Sequence, residues 1–221
     1  MELQSGFRSS RSGGRVIGEV FLCDRLENGA GYCDYLAQPT EFGKLLQLGD
    51  ATNANPDAIA AKWMSDQPGL ESTTPHALEC DTSCNLCMRD YYNLPYHGLL
   101  DWRLALDMVR LAADPANALD LQEPWAGIPN PWYRLVSGPE APVPSMMKRI
   151  RYGPSENFAG LSGYVHEVPE RRQIWIERHP LWQDDHPRWI AAIASAKSGF
   201  PGYQVSAMNP FIALRRPADY A

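Results

Sequence analysis

The sequence predicts an α+β chain with a short sheet, several helices and long proline-rich irregular segments. Short apolar runs rich in branched residues supply the strands. Stretches with apolar residues at three- and four-residue steps supply the helices. Prolines crowd residues 114–154, where extended segments pinned by aromatic rings are expected in place of a regular sandwich or barrel. A chain of 221 residues suits one large domain or two small ones.

Residues 1–14 are polar and rich in Ser, Gly and Arg, which predicts a flexible basic tail. Val16 to Cys23 reads as a buried strand, and Asp24 to Gly31 as a turn helped by Asn28-Gly29. A helix is expected from Ala30, interrupted near Pro39 and resumed from Thr40 to Leu48. Pro56 opens another, to about Ser65. Thr74-Pro75 starts a short helix that leads into a cysteine-rich run. Leu99 to Ala113 is the clearest helix. Leu100, Leu104, Met108 and Leu111 mark its apolar side, and Asp101, Arg103, Asp107 and Arg110 its polar side. Asp114-Pro115 ends it. Residues 161–168 and 172–178 read as strands around the turn Pro169-Glu170-Arg171. Asp184, Asp185 and Pro187 start a helix that runs to about Ala196. Residues 203–205 and 211–214 read as short terminal strands. The expected organisation is a tail over 1–14, a metal-binding domain over 15–114 and a Pro/Trp-rich extension over 115–221 packed on it.

Chemistry concentrates at Cys80, Cys84 and Cys87, spaced C-x3-C-x2-C. That spacing folds back tightly enough for three thiolates to meet one soft cation. Structural zinc takes four N or S ligands in a tetrahedron, and such knuckles supply them. A disulfide framework fits poorly, because five cysteines is an odd number and no apolar signal segment follows Met1. A thioredoxin-like site would want a C-x2-C pair without a third cysteine beside it. Cys23 and Cys33 remain available to close the shell.

Other functional classes have less behind them. The sequence holds no G-x-x-x-x-G-K-[ST] loop to cradle phosphates and no G-x-S-x-G or H-E-x-x-H run, so the chain is expected to be no enzyme and to hydrolyse no ATP by itself. Glu177-Arg178-His179, with Asp184 or Asp185, resembles a degenerate nuclease cluster, but His179 stands where the lysine of Glu-x-Lys belongs. No apolar run approaches the ~18 residues of a membrane span, and a cytoplasmic location is expected. The net charge of -6 argues against a free-standing zinc protein for nucleic acid, which usually carries a basic bias. Local basic points exist all the same: Arg8, Arg11 and Arg15; Lys148, Arg149 and Arg151; and Arg215-Arg216. The first two groups would meet phosphates without reading bases. Trp125, Trp132 and Tyr133, set among prolines, are expected to anchor a partner.

The run Phe21-Leu22-Cys23-Asp24-Arg25-Leu26-Glu27-Asn28-Gly29-Ala30-Gly31-Tyr32-Cys33 resembles the opening of the MrfA-type zinc-binding domain found at the C-terminus of superfamily 2 DEAD/DEAH-box helicases. The knuckle Cys80 to Asn93 is similar to the cysteine cluster of that domain, and Tyr96 to Asp107 to the segment next to the cluster. His179-Pro180-Leu181-Trp182 and Leu214-Arg215-Arg216-Pro217 also resemble the ends of such helicases. Residues 15–110 carry most of the resemblance. It implies a four-cysteine zinc site in a helicase accessory module, acting with a separate ATPase on DNA. Such modules serve DNA repair and multi-subunit anti-phage systems such as DISARM and Druantia. Family members of the repair type draw all four cysteines from one cluster, whereas only three are local here. Cys33 is the preferred fourth ligand over Cys23, His76 and His97, because it follows a turn at a helix start, where partial positive charge favours a thiolate.

Overall fold

The computed structural model describes residues 3–12, 15–25, 29, 31–46, 75–113, 116, 118–124 and 129–221. Helices, a two-stranded sheet and a mixed four-stranded sheet make it α+β, as the sequence predicts. The chain divides into two compact units. One is Met1–Trp63 with Val109–Pro115, and the other is Met64–Met108 with Ala116–Ala221.

In the first unit, β1 (Leu3–Ser12) pairs antiparallel with β2 (Arg15–Asp24), Leu3 opposite Asp24 and Ser12 opposite Arg15. Residues 3–12 of the expected tail therefore form a strand, whose ladder with β2 satisfies the backbone donors and acceptors of both. Phe21 and Leu22 are exposed and Cys23 is half-buried, so this end of β2 is not buried as its composition suggests. The Phe21 ring lies over Gly6, its cross-strand partner. A Cβ on Gly6 would come within 2.4 Å of that ring. Gly29 and Gly31 then take left-handed φ values of 61° and 75° and turn the chain into α1 (Tyr32–Leu36) and α2 (Pro39–Leu46). This proline-punctuated helix pair is the one the sequence indicates. The helix expected over Pro56 to Ser65 lies outside the described residues.

The second unit is built on the sheet β3 (Glu156–Phe158), β4 (Leu161–Val165), β5 (Gln173–Glu177) and β6 (Gln204–Met208), in that order. The first two pairings are antiparallel, whereas β5 and β6 run parallel. A parallel pair needs a crossover, here α3 (Pro187–Gly199). Alternating residues feed opposite faces of the sheet. Leu161, Ile174 and Ile176 meet Trp189, Ala192 and Ala196 of α3 on one face. Tyr164 and Met208 on the other meet Trp132, Val143, Met147 and Phe211. Val143 and Met147 lie on α4 (Pro142–Arg149), and Phe211 on α5 (Pro210–Arg215).

Prolines open these helices instead of interrupting them. Pro142, Pro187 and Pro210 each stand at the first helical position, where a missing N–H removes nothing. The strand expected at 211–214 is therefore the helix α5. The Asn209 side chain caps it, accepting from the N–H groups of Phe211 and Ile212. Trp132, expected to anchor a partner, is fully buried, while Tyr133 beside it is exposed. Trp125 lies outside the described residues. Among the described residues no helix is long and apolar enough to cross a membrane.

The helix α6 (Trp102–Ala113) departs most from its sequence pattern. Asp101, Arg103, Asp107 and Arg110, expected on its wet side, are all buried, and Met108 is exposed. One oxygen of Asp107, Oδ2, accepts from Trp132 Nε1–H at 2.7 Å and from His179 Nε2–H at 2.9 Å. His179 Nδ1 in turn accepts from the N–H of Leu181 at 3.2 Å, so both ring nitrogens are used. Asp107→Ala strands two buried donors and is expected to cost about 3–5 kcal/mol in urea unfolding. Asp107→Asn keeps one acceptor and costs less.

Glu177 ends β5 with only 1% of its surface exposed, and Oε1 accepts from the Tyr164 hydroxyl at 2.6 Å. Burial pushes its carboxyl from 4.5 up to about 8. Between these values the folded chain holds a proton that the unfolded chain has released. Stability should therefore fall as pH rises from about 4.5 to about 8 and then level off. Glu177→Gln should flatten that slope in denaturation curves taken across the window.

Candidate metal centre

Four side chains of the second unit form the group His76, Cys80, Cys84 and Cys87, with all ligand atoms within 4.8 Å of one another. The short helix His76–Glu79 brings the first two together. Cys80 caps it, donating its N–H to the carbonyl of His76 at 2.9 Å. Residues four apart lie on the same side of a turn. Cys84 and Cys87 come together in the next turn, where the N–H groups of Cys87, Met88 and Arg89 all donate to the Cys84 carbonyl. The Cys84 N–H points at Cys87 Sγ, 3.2 Å away, and places a donor on that sulfur.

The spacing fits a metal ion. Cys84 Sγ lies 3.8 Å from Cys87 Sγ and 3.8 Å from His76 Nε2. A tetrahedral ion with sulfur bonds of about 2.3 Å has ligand-to-ligand edges of about 3.8 Å. A disulfide would bring two sulfurs to about 2.05 Å, and all five cysteines are free. Burial, then the neighbouring Cys87 and Cys84, pushes the Cys80 thiol up to about 12. Burial also raises the Cys87 thiol. Cys80 and Cys87 thus resist ionising, and a dication beside them reverses that preference.

The start of α6 holds the knuckle in shape. Trp102 donates its indole N–H to the Cys80 carbonyl and its backbone N–H to the Thr82 carbonyl, both at 2.8 Å. Arg103 donates to the Asp81 carbonyl and, through Nε, to the Pro131 carbonyl at 3.0 Å. Its guanidinium pairs with Asp101 at 3.4 Å and lies 4.4 Å from the centre of the Trp102 ring. Three successive carbonyls, those of residues 80–82, are thus caught by two adjacent buried residues. Arg89 Nε adds a bond to Ser83 Oγ at 2.9 Å.

The fourth member of this group is His76, and Cys33, preferred as fourth ligand from the sequence, is not in it. Cys33 belongs to the first unit, where its N–H donates to Asp24 Oδ1 at 3.2 Å. Desolvation and then the Asp24 carboxylate raise its thiol pKa, the reverse of the thiolate-favouring setting a helix start suggests. Cys23 Sγ lies 3.5 Å from the Gln4 carbonyl. His97 Nε2 lies 2.7 Å from Asn93 Oδ1 and 3.1 Å from the Asp90 carbonyl, and it is not in the group. His76 is legible in the sequence as the start of H-x3-C-x3-C-x2-C.

The remaining candidates are dispersed. Arg8 and Arg11 are exposed on β1, and Arg15 opens β2. Lys148 and Arg149 are exposed in the last turn of α4, where a helix C-terminus favours cations on its own account. Arg151 is exposed just beyond, with φ of 68°. Glu177 sits in the core against Tyr164, His179 is spent on Asp107, and Asp184 is exposed and paired with Arg178. Among the described residues these acids form no group that could hold a metal ion. Comparison with protein-family models, with curated proteins and with solved structures finds no match to this chain.

Proposed function

We propose that this chain is a zinc-stapled, non-catalytic accessory protein of a superfamily 2 DNA helicase, serving DNA repair or anti-phage defence. The observation that carries the metal is the His76, Cys80, Cys84 and Cys87 group with its 3.8 Å edges. Three thiolates and an imidazole suit zinc, which has no geometric demand beyond the tetrahedron these ligands offer. Four protein ligands close the shell, and a closed shell marks a structural site. The resemblance of residues 15–110 to the helicase-associated zinc domain supplies the partner. In this reading the ATPase lobes belong to that partner. Arg8, Arg11 and Arg15, with Lys148, Arg149 and Arg151, add phosphate contacts without base specificity, so binding to DNA weakens steeply with salt.

Purified protein should contain one zinc per chain by elemental analysis, and a strong chelator should lower its melting temperature, since binding energy in such a site is largely folding energy. His76→Ala and Cys84→Ser should each lose the metal, whereas Cys33→Ser should keep it. Full occupancy in His76→Ala with loss in Cys33→Ser would restore Cys33 as ligand.

Co-expressed with a helicase encoded beside it, the chain should co-elute in size-exclusion chromatography at low salt and alter helicase activity, while showing no ATPase of its own. Separate elution, with the helicase indifferent to its presence, is the outcome that removes the partnership.

A further inference from the structure

The four members of the metal group are not equally sheltered. His76 and Cys80 are buried, with 5% and 7% of their surface exposed, whereas Cys84 and Cys87 are half-buried. Leu86, in the turn between them, is 68% exposed. The two outer sulfurs are also neighbours, 3.8 Å apart. They need to close by about 1.8 Å to reach the length of an S–S bond. Thiolates are the reactive form of cysteine, and a bound metal ion keeps its sulfur ligands in that form.

The loop is held in two different ways along its length. The carbonyls of residues 80–82 are caught by Trp102 and Arg103, and those bonds need no metal. Past Thr82 the support is local. The Cys84 carbonyl accepts from the N–H groups of Cys87, Met88 and Arg89, and Arg89 Nε donates to Ser83 Oγ. These bonds run within the stretch 83–89. Asn93 Nδ2 then ties the next segment to the Met88 carbonyl at 2.7 Å. A metal ion would join the outer stretch to the inner one through Cys84 and Cys87 on one side and His76 and Cys80 on the other.

We propose that this group is a redox-sensitive release site: hydrogen peroxide oxidises Cys84 and Cys87 to a disulfide, the zinc leaves, and residues 83–93 loosen while the rest of the unit stays folded. The inference rests on the zinc reading above. One of the two thiolate sulfurs attacks a peroxide oxygen. The O–O bond breaks, a sulfenic acid forms and hydroxide leaves. The second thiolate attacks that sulfur. The S–S bond forms, the S–O bond breaks and a second hydroxide leaves. The two sulfurs lose two electrons in all, and the peroxide gains them. His76 and Cys80 remain, two ligands where a structural zinc takes four. A thiol reductant reverses the step.

The test uses the full, zinc-loaded chain, titrated with hydrogen peroxide beside a parallel sample of glutathione. Zinc passing to a chromogenic chelator should reach one per chain. Peptide mapping should find Cys84 joined to Cys87 and Cys80 free, and a dithiol with added zinc should restore the metal. A Cys23→Ser, Cys33→Ser variant, which keeps all four ligands, should lose two thiols per zinc released. Hydrogen exchange, measured well below the melting temperature, should rise at least about tenfold over residues 83–93 and stay unchanged over α6 and β4 to β6. Zinc still bound after the glutathione is consumed would overturn the proposal. So would a disulfide that uses Cys80, or cysteines carried only to sulfinic acid. Exchange that rises through α6 and the sheet would overturn it as well, because the metal would then staple the whole unit. A preparation without zinc removes the metal reading, and this inference with it, before any peroxide is added.

Discussion

Asp107 is fully buried, and a single one of its oxygens receives both an indole and an imidazole N–H. The donors come from Trp132 and His179, far along the chain on either side of the strands β3, β4 and β5. A carboxylate taken out of water is costly unless such donors replace the water it loses. That condition fixes more than one pair. It sets the rotation of α6 about its axis, because Asp107 must point inward. Trp132 is then drawn into the core that Val143, Met147 and Tyr164 complete.

The same rotation turns Arg103 inward beside Trp102, one helical turn earlier, onto the carbonyls of residues 80–82. The sheet-side core and the cysteine loop are in this way referred to a single helix. With those carbonyls already caught, part of the entropy of ordering the loop is lost on folding of the helix and not on arrival of a metal. Arg103 and Trp102 thereby act on the His76, Cys80, Cys84 and Cys87 group through the backbone carbonyls of its loop, as outer residues orient the ligands they support. Removing Arg103 would also leave its partner Asp101, equally buried, without that ion pair.

Much of this is legible in the sequence, and the exceptions have physical causes. The cysteine spacing, the strands flanking residues 169–171, and the helices around Pro39 and Pro187 arise from local geometry, which is written in local residues. The inverted α6 does not. Periodicity marks which residues share a side but assumes that the charged side is wet, and it cannot foresee that Trp132 and His179 will arrive as donors. Residues 211–214 are a short apolar run, which periodicity leaves ambiguous between strand and helix. Asn209-Pro210, a cap followed by a first-turn proline, is the deciding signal. The preference for Cys33 rests on the positive end of a helix, but the Asp24 carboxylate accepts from the N–H groups of Gly31 and Cys33, and burial and that carboxylate raise the thiol pKa. His76 needs only the four-residue step to Cys80 to be noticed.

The knuckle and the exposed segment after it are a single continuous piece of chain. Arg89, bonded to Ser83 inside the knuckle, is followed by Asp90, which caps Tyr91–Leu99. A metal bound to Cys84 and Cys87 would fix the direction in which the chain leaves the loop, and through Asn93, which donates to the Met88 carbonyl, the direction in which the tyrosines are held. Exposed aromatic side chains keep one direction only if the backbone beneath them is fixed. Here polar bonds and the metal-ligand group fix it at one end, and Arg215 at the other.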